Sequence, residues 1–134
     1  MEIIDFYSGF EGEKEIRIYV NNTVLSIWDG YFSPIMEVLL KVENNYKDSA
    51  FGIVAEWTTL TGWCNSNGKK TKIQNLKDEI EAFSKFDMNM LERKEYIYLT
   101  NDWKKEIYNV HKEILKLLRA AKENKLDVYI EEYW

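Results

Sequence analysis

The stretch "NDWKKEIYNVHKEILKLLRAAKEN" constrains the fold most. Its apolar residues Trp103, Ile107, Val110, Ile114, Leu117 or Leu118, and Ala121 recur at alternating steps of three and four. That spacing keeps one face of an α-helix apolar for about six turns. A stripe so long needs a broad surface to lie on, and the flanking segments supply one. "EYIYLT" before it and "LDVYIEEYW" after it read as strands; in the second, Leu126, Val128 and Ile130 alternate with Asp127, Tyr129 and Glu131. Strand, long helix and strand predict a right-handed βαβ crossover if both strands join one sheet in parallel. Thr100 or Asn101 is placed to cap the helix start, and Asn124 to close it in the left-handed conformation.

The first thirty residues also read as β. In "EIRIYV", Ile16, Ile18 and Val20 fall on one face and Arg17 and Tyr19 on the other. Asn21 and Asn22 predict a tight hairpin into "TVLSIWDG", since Asn tolerates positive φ. Ser33 followed by Pro34 is a helix-start signal, and Ile35, Val38, Leu39 and Val42 continue it at helical spacing to about Tyr46. Residues 50–65 fit either strand or short helix. Asn67 and Gly68 mark a turn, and Ile73, Leu76, Ile80 and Phe83 form the stripe of a second helix. With 134 residues and no linker or repeat, the expectation is a single domain over 1–134. Its class is α+β (mixed α/β): N-terminal antiparallel strands, two shorter helices and the C-terminal strand–helix–strand unit, with one layer of helices on a sheet.

Charge narrows the function classes. A formal charge of −5 is unfavourable for holding phosphates, so nucleic acid is not an expected partner and a basic protein is. One cysteine, Cys64, allows no intrachain disulfide and suits a reducing compartment, which predicts a cytoplasmic protein. No run of eighteen apolar residues and no basic leader followed by an apolar segment occur, so neither membrane spanning nor export is expected.

Catalytic chemistry finds little material. A nucleophile would have to be Cys64 activated by the only histidine, His111, and each has an ordinary structural explanation in its context. Zinc wants clustered Cys and His, which the chain does not supply. Glu11, Glu13 and Glu15 alternate in the way of a solvated strand face, and "NGKKTK" lacks the glycine framework of a phosphate loop. No catalytic, cofactor or metal residue is therefore expected, and the chain reads as a non-enzyme.

Binding chemistry finds more. Residues 101–125 carry a net +3, the first hundred −5 and the last nine −3, so the acid lies on the sheet-forming ends. "MEIIDFYSGFEGEKE" holds five acids and one lysine interleaved with Phe6, Tyr7 and Phe10. Aromatic residues make up 15% of the chain, above ordinary usage, and Trp and Tyr are the side chains that anchor protein interfaces. The candidate partner-binding residues are Glu11, Glu13, Glu131 and Glu132 as carboxylates, Tyr129, Tyr133 and Trp28 as anchors, and Asp29 beside Trp28 in "SIWDGYF". The alternative is a small-molecule or scaffold module whose aromatics line a pocket.

The acidic single domain, the central "LTGWCNSNG…IQNLKDEIEAF" and the close "LLRAAKENKLDVYIEEYW" resemble small bacterial immunity proteins of polymorphic-toxin and contact-dependent inhibition systems. These stretches span about half of the chain, and the likeness is one of layout without a residue-by-residue motif. It implies a stoichiometric inhibitor that binds a cognate toxin domain and occludes its active or substrate-binding surface. It implies neither cofactor nor catalysis. With the acidic charge of this chain, the expected toxin is basic and of nuclease type.

Overall fold

A computed structural model describes residues 1–42, 52–54, 57, 63 and 69–133. Its elements are β1 (Glu2–Phe6), β2 (Glu15–Val20), β3 (Thr23–Trp28), α1 (Asp29–Val42), β4 (Thr71–Lys72), α2 (Leu76–Ser84), α3 (Asn101–Glu123) and β5 (Val128–Tyr133). Two 3-10 turns, Met88–Glu92 and Lys94–Tyr96, lie between α2 and α3.

The strands form one mixed sheet in the order β1-β3-β2-β5-β4, and the α+β class read from the sequence stands. The hairpin at Asn21 is present, with φ of 52° there allowing β2 to pair antiparallel with β3 from Val20↔Thr23 to Glu15↔Trp28. The N-terminal strands are not all antiparallel, however. β3 inserts between β1 and β2 and runs parallel to β1, from Glu2↔Thr23 to Phe6↔Ile27. The intervening loop turns on Gly9 and Gly12, both at positive φ, where a side chain would be strained.

The expected βαβ unit is absent. "EYIYLT" contains a 3-10 turn and no strand, and β5 runs antiparallel to both of its neighbours, β2 and β4. The physical reason lies in the spacing: Tyr96 and Leu99 are the buried pair, while Ile97 and Tyr98 between them are exposed. A step of three suits a 3-10 turn, whereas a strand would bury alternate residues.

α1 starts a turn earlier than the Ser33-Pro34 signal places it. The helix begins directly at the end of β3, where the Asp29 amide donates to the Lys14 carbonyl at 3.0 Å and the Ser33 hydroxyl donates to the Asp29 carboxylate at 2.9 Å. Pro34 thus sits inside the helix and cannot donate to the Gly30 carbonyl. Gly30 is required by close approach, because a Cβ there would collide with the Trp28 ring. The continuation toward Tyr46, most of residues 50–65, and the Asn67-Gly68 turn lie outside the described residues.

α3 matches its sequence stripe: Ile107, Val110, Ile114, Leu118 and Ala121 are buried, and the Thr100 hydroxyl caps the start by accepting from the Trp103 amide at 3.1 Å. Its end differs from the expectation. Asn124 has φ of −95°, and Lys125 takes the left-handed conformation at φ 55°. The Leu126 amide bonds to the Ala121 carbonyl at 2.8 Å and the Lys125 amide to that of Lys122 at 3.3 Å, which is a Schellman closure. α1 and α3 bury their stripes against Ile16, Ile18, Leu25, Ile27, Val128 and Ile130 of the sheet. Among the described residues, no helix is long and apolar enough to cross a membrane.

Candidate functional site

Strand alternation puts the core-facing apolar residues on one side and leaves the other without a helix among the described residues. On that open face the register sets Glu15 opposite Tyr133, Arg17 opposite Glu131 and Tyr19 opposite Tyr129, with Ser26 of β3 beside Arg17.

These residues form one network. Arg17 grips Glu15 through two parallel bonds, Nε to Oε2 at 2.9 Å and Nη2 to Oε1 at 3.0 Å, and the Ser26 hydroxyl donates to Glu15 as well. Its Nη1 lies 3.6 Å from Glu131, which also accepts from the Tyr19 hydroxyl. A fork-on-carboxylate pair fixes direction as well as charge, so the guanidinium is held flat. The Tyr133 ring lies with its centroid 4.0 Å from the guanidinium carbon, and Lys70 stands 3.9 Å from the Tyr19 ring centroid, both within cation–π range. Burial keeps Tyr19 protonated by pushing its pKa up, with the hydrogen bond to Glu131 acting in the same direction. The Glu15 contact holds Arg17 in its charged form. Long side chains therefore roof their own carboxylates: Glu15 and Glu131 are buried, while Tyr133 remains 49% exposed.

At the hairpin end of this face a groove of about 540 Å³ is lined by Tyr19, Val24, Lys70, Leu126, Asp127 and Tyr129, together with Met1 and Asn21. It is an open trough, with aromatic rings and both signs of charge.

The residues marked from sequence divide by position. Tyr129, Glu131 and Tyr133 share the open face, whereas Glu132 points to the other side and pairs with Lys14 at 3.6 Å. Glu11 accepts from the Gly9 amide at 3.1 Å, which lowers its pKa, and Glu13 accepts from the Trp28 indole at 3.3 Å. Asp29 accepts from Ser33, and burial raises its pKa. Each of the five marked carboxylates thus has an internal partner. Trp28 stacks on Phe10 at 3.7 Å and meets Tyr31 and Trp103 edge-on, so it ties the N-terminal loop to α1 and α3.

Sequence reading did not mark Glu15, Arg17, Tyr19, Ser26 or Lys70. The alternation in "EIRIYV" already sets Arg17 and Tyr19 on a polar face, but pairing that face with Tyr129, Glu131 and Tyr133 requires the register between β2 and β5. That register joins residues 112 apart, as in the Tyr19–Glu131 bond.

His111 is accounted for structurally. Its Nε2 donates to the Phe83 carbonyl at 2.6 Å, and the ring packs on Phe86, which clamps α3 to α2; burial lowers its pKa. Cys64 lies outside the described residues. Among the described residues, no three of His, Cys, Asp and Glu are grouped to hold a metal ion. Glu79 on α2 is 3% exposed and its Oε2 has no hydrogen-bond partner; desolvation raises its pKa to about 7. No protein-family model matches the chain, and no match is found among curated proteins or solved structures.

Proposed function

We propose that the protein is an immunity protein that binds a basic toxin domain and neutralises it by covering its active or substrate-binding surface, without catalysis of its own. The observation that carries the binding part is the open sheet face, where the Glu15–Arg17–Glu131 network holds Tyr19 through its bond to Glu131 and Tyr133 through the Arg17 guanidinium, with Tyr129 opposite Tyr19 in the ladder. Rings already ordered lose little rotamer freedom on binding, which is what an anchoring side chain needs. Glu131 acts by positioning Arg17 and Tyr19, and the exposed Glu11 and Glu13 steer a basic surface toward the face. The restriction to a toxin rests on the resemblance in layout and on the charge of −5.

The test is a growth assay. A domain captured from host cells by the tagged protein is expressed alone and together with it. Arrest in the first case and one-to-one rescue in the second support the reading; a captured protein that harms nothing contradicts it.

A second reading, a small-molecule module, is favoured by the groove between Tyr19 and Tyr129. Ligand-observed NMR with a fragment library and no protein partner supports it if hits broaden Tyr19 and Tyr129.

A further inference from the structure

Among the described residues, β1 is an edge strand of the sheet and pairs with β3 alone. The Glu2 amide donates to the Asn22 carbonyl at 2.8 Å, so the backbone groups of Glu2 point inward. Along a strand these groups alternate sides, which directs those of Ile4 and Phe6 inward and those of Ile3 and Asp5 to the free edge. Two N–H and two C=O groups are thus offered in a row, and Ile3, which carries the first pair, is 62% exposed. Natural sheets blunt such edges with short strands, charged side chains, proline or a bulge, and β1 carries two acids as its only such device besides its length of five residues. The sequence of β1, EIIDF, contains neither proline nor lysine, and its register with β3 is unbroken over all five residues.

We infer that the free edge of β1 receives an extended, basic segment of a partner protein, which joins the sheet as an added strand. Pairing of main chains supplies affinity in this mode, and alternate side chains supply selectivity. Charge chooses the occupant. β1 itself carries Glu2 and Asp5 and no cation, so a second copy would bring like charges together across the new ladder, while a lysine- or arginine-bearing strand would meet opposite charge. An added strand would also carry alternate side chains onto the open face beside Ile3 and Val24. This inference rests on the reading of the protein as a protein binder and specifies where the partner enters.

The test uses the full chain and a short synthetic peptide of alternating lysine and valine, with the same peptide N-methylated at alternate residues as control. NMR hydrogen exchange is expected to slow at Ile3 and Asp5 on addition of the unmethylated peptide, with Glu2, Ile4 and Phe6 unchanged. The methylated peptide should bind at least tenfold more weakly. Ile3→Pro removes an outward N–H at an edge position, where proline is tolerated, and should weaken binding at least tenfold, whereas Ile3→Thr keeps the N–H and should retain it. Binding that leaves Ile3 and Asp5 exchange unchanged overturns the inference, as does equal affinity for the methylated peptide. Slowing that depends on protein concentration without peptide would assign the edge to a second copy and overturn it too. The peptide stands in for the natural partner, so failure here removes the edge and leaves toxin capture intact. Failure of capture, in turn, leaves this result standing.

Discussion

Arg17 and Glu131 face each other across β2 and β5, with Nη1 3.6 Å from Oε1, and the same guanidinium is clamped to Glu15 on its own strand. One cation therefore serves two carboxylates that are almost wholly buried. Removing it leaves both without their counter-ion. Arg17→Ala is expected to lower stability by about 2 kcal/mol, the deletion cost of a partly shielded ion pair. Urea unfolding measures it. Arg17→Lys should recover less than half, because an ammonium cannot make the two parallel bonds.

The buried Glu79 makes a pH prediction. Its pKa is about 7 in the folded protein against an ordinary 4.5, so the folded state keeps a proton that the unfolded chain gives up. Its contribution to stability is whole below pH 4.5 and is lost as pH rises to about 7, a total of about 3 kcal/mol. Urea midpoints measured between pH 5 and 8 should fall with pH, and Glu79→Gln should flatten that fall.

Gly30 offers a test of packing by sign. Alanine in a helix is ordinarily better than glycine, by up to about 1 kcal/mol in the interior and less in the first turn, where Gly30 lies. Here the added methyl meets the Trp28 ring, so Gly30→Ala should destabilise, by about 1–3 kcal/mol. In a Trp28→Leu background the same change should cost less, and the double-mutant cycle isolates the clash.

Lys125 closes α3 in the left-handed region at φ 55°, where a side chain costs about 1 kcal/mol. Lys125→Gly should raise stability by about 0.5–1 kcal/mol and leave the Leu126–Ala121 hydrogen bond in place. Thermal unfolding should show a rise of a few degrees.

The elements legible in the sequence are those whose burial repeats locally. The α3 stripe and the Ile16-Ile18-Val20 alternation each state their own period, and both are seen as read. "EYIYLT" misleads because its β-prone residues are overruled by tertiary burial of Tyr96 and Leu99 at a step of three. The start of α1 is hidden because no loop separates it from β3, and Ser33 bonds back to Asp29 within the helix. At the open face, Tyr129 and Tyr133 are visible from alternation, whereas the partners of Glu131 are not: Arg17 and Tyr19 reach it across a ladder that only the folded register defines. The Glu131 and Glu132 pair reads as one acidic patch in sequence and is split between two faces by the pleat.

The central claim is tested most directly by capture from host cells with two baits, the wild-type chain and a Tyr129→Ala/Tyr133→Ala variant shown to be folded, followed by affinity measurement on the captured domain. The account predicts tight one-to-one binding of a basic toxin by the wild type and a loss of at least tenfold, about 1.4 kcal/mol, in the variant. Equal capture by both baits, or no toxin captured by either, would contradict it.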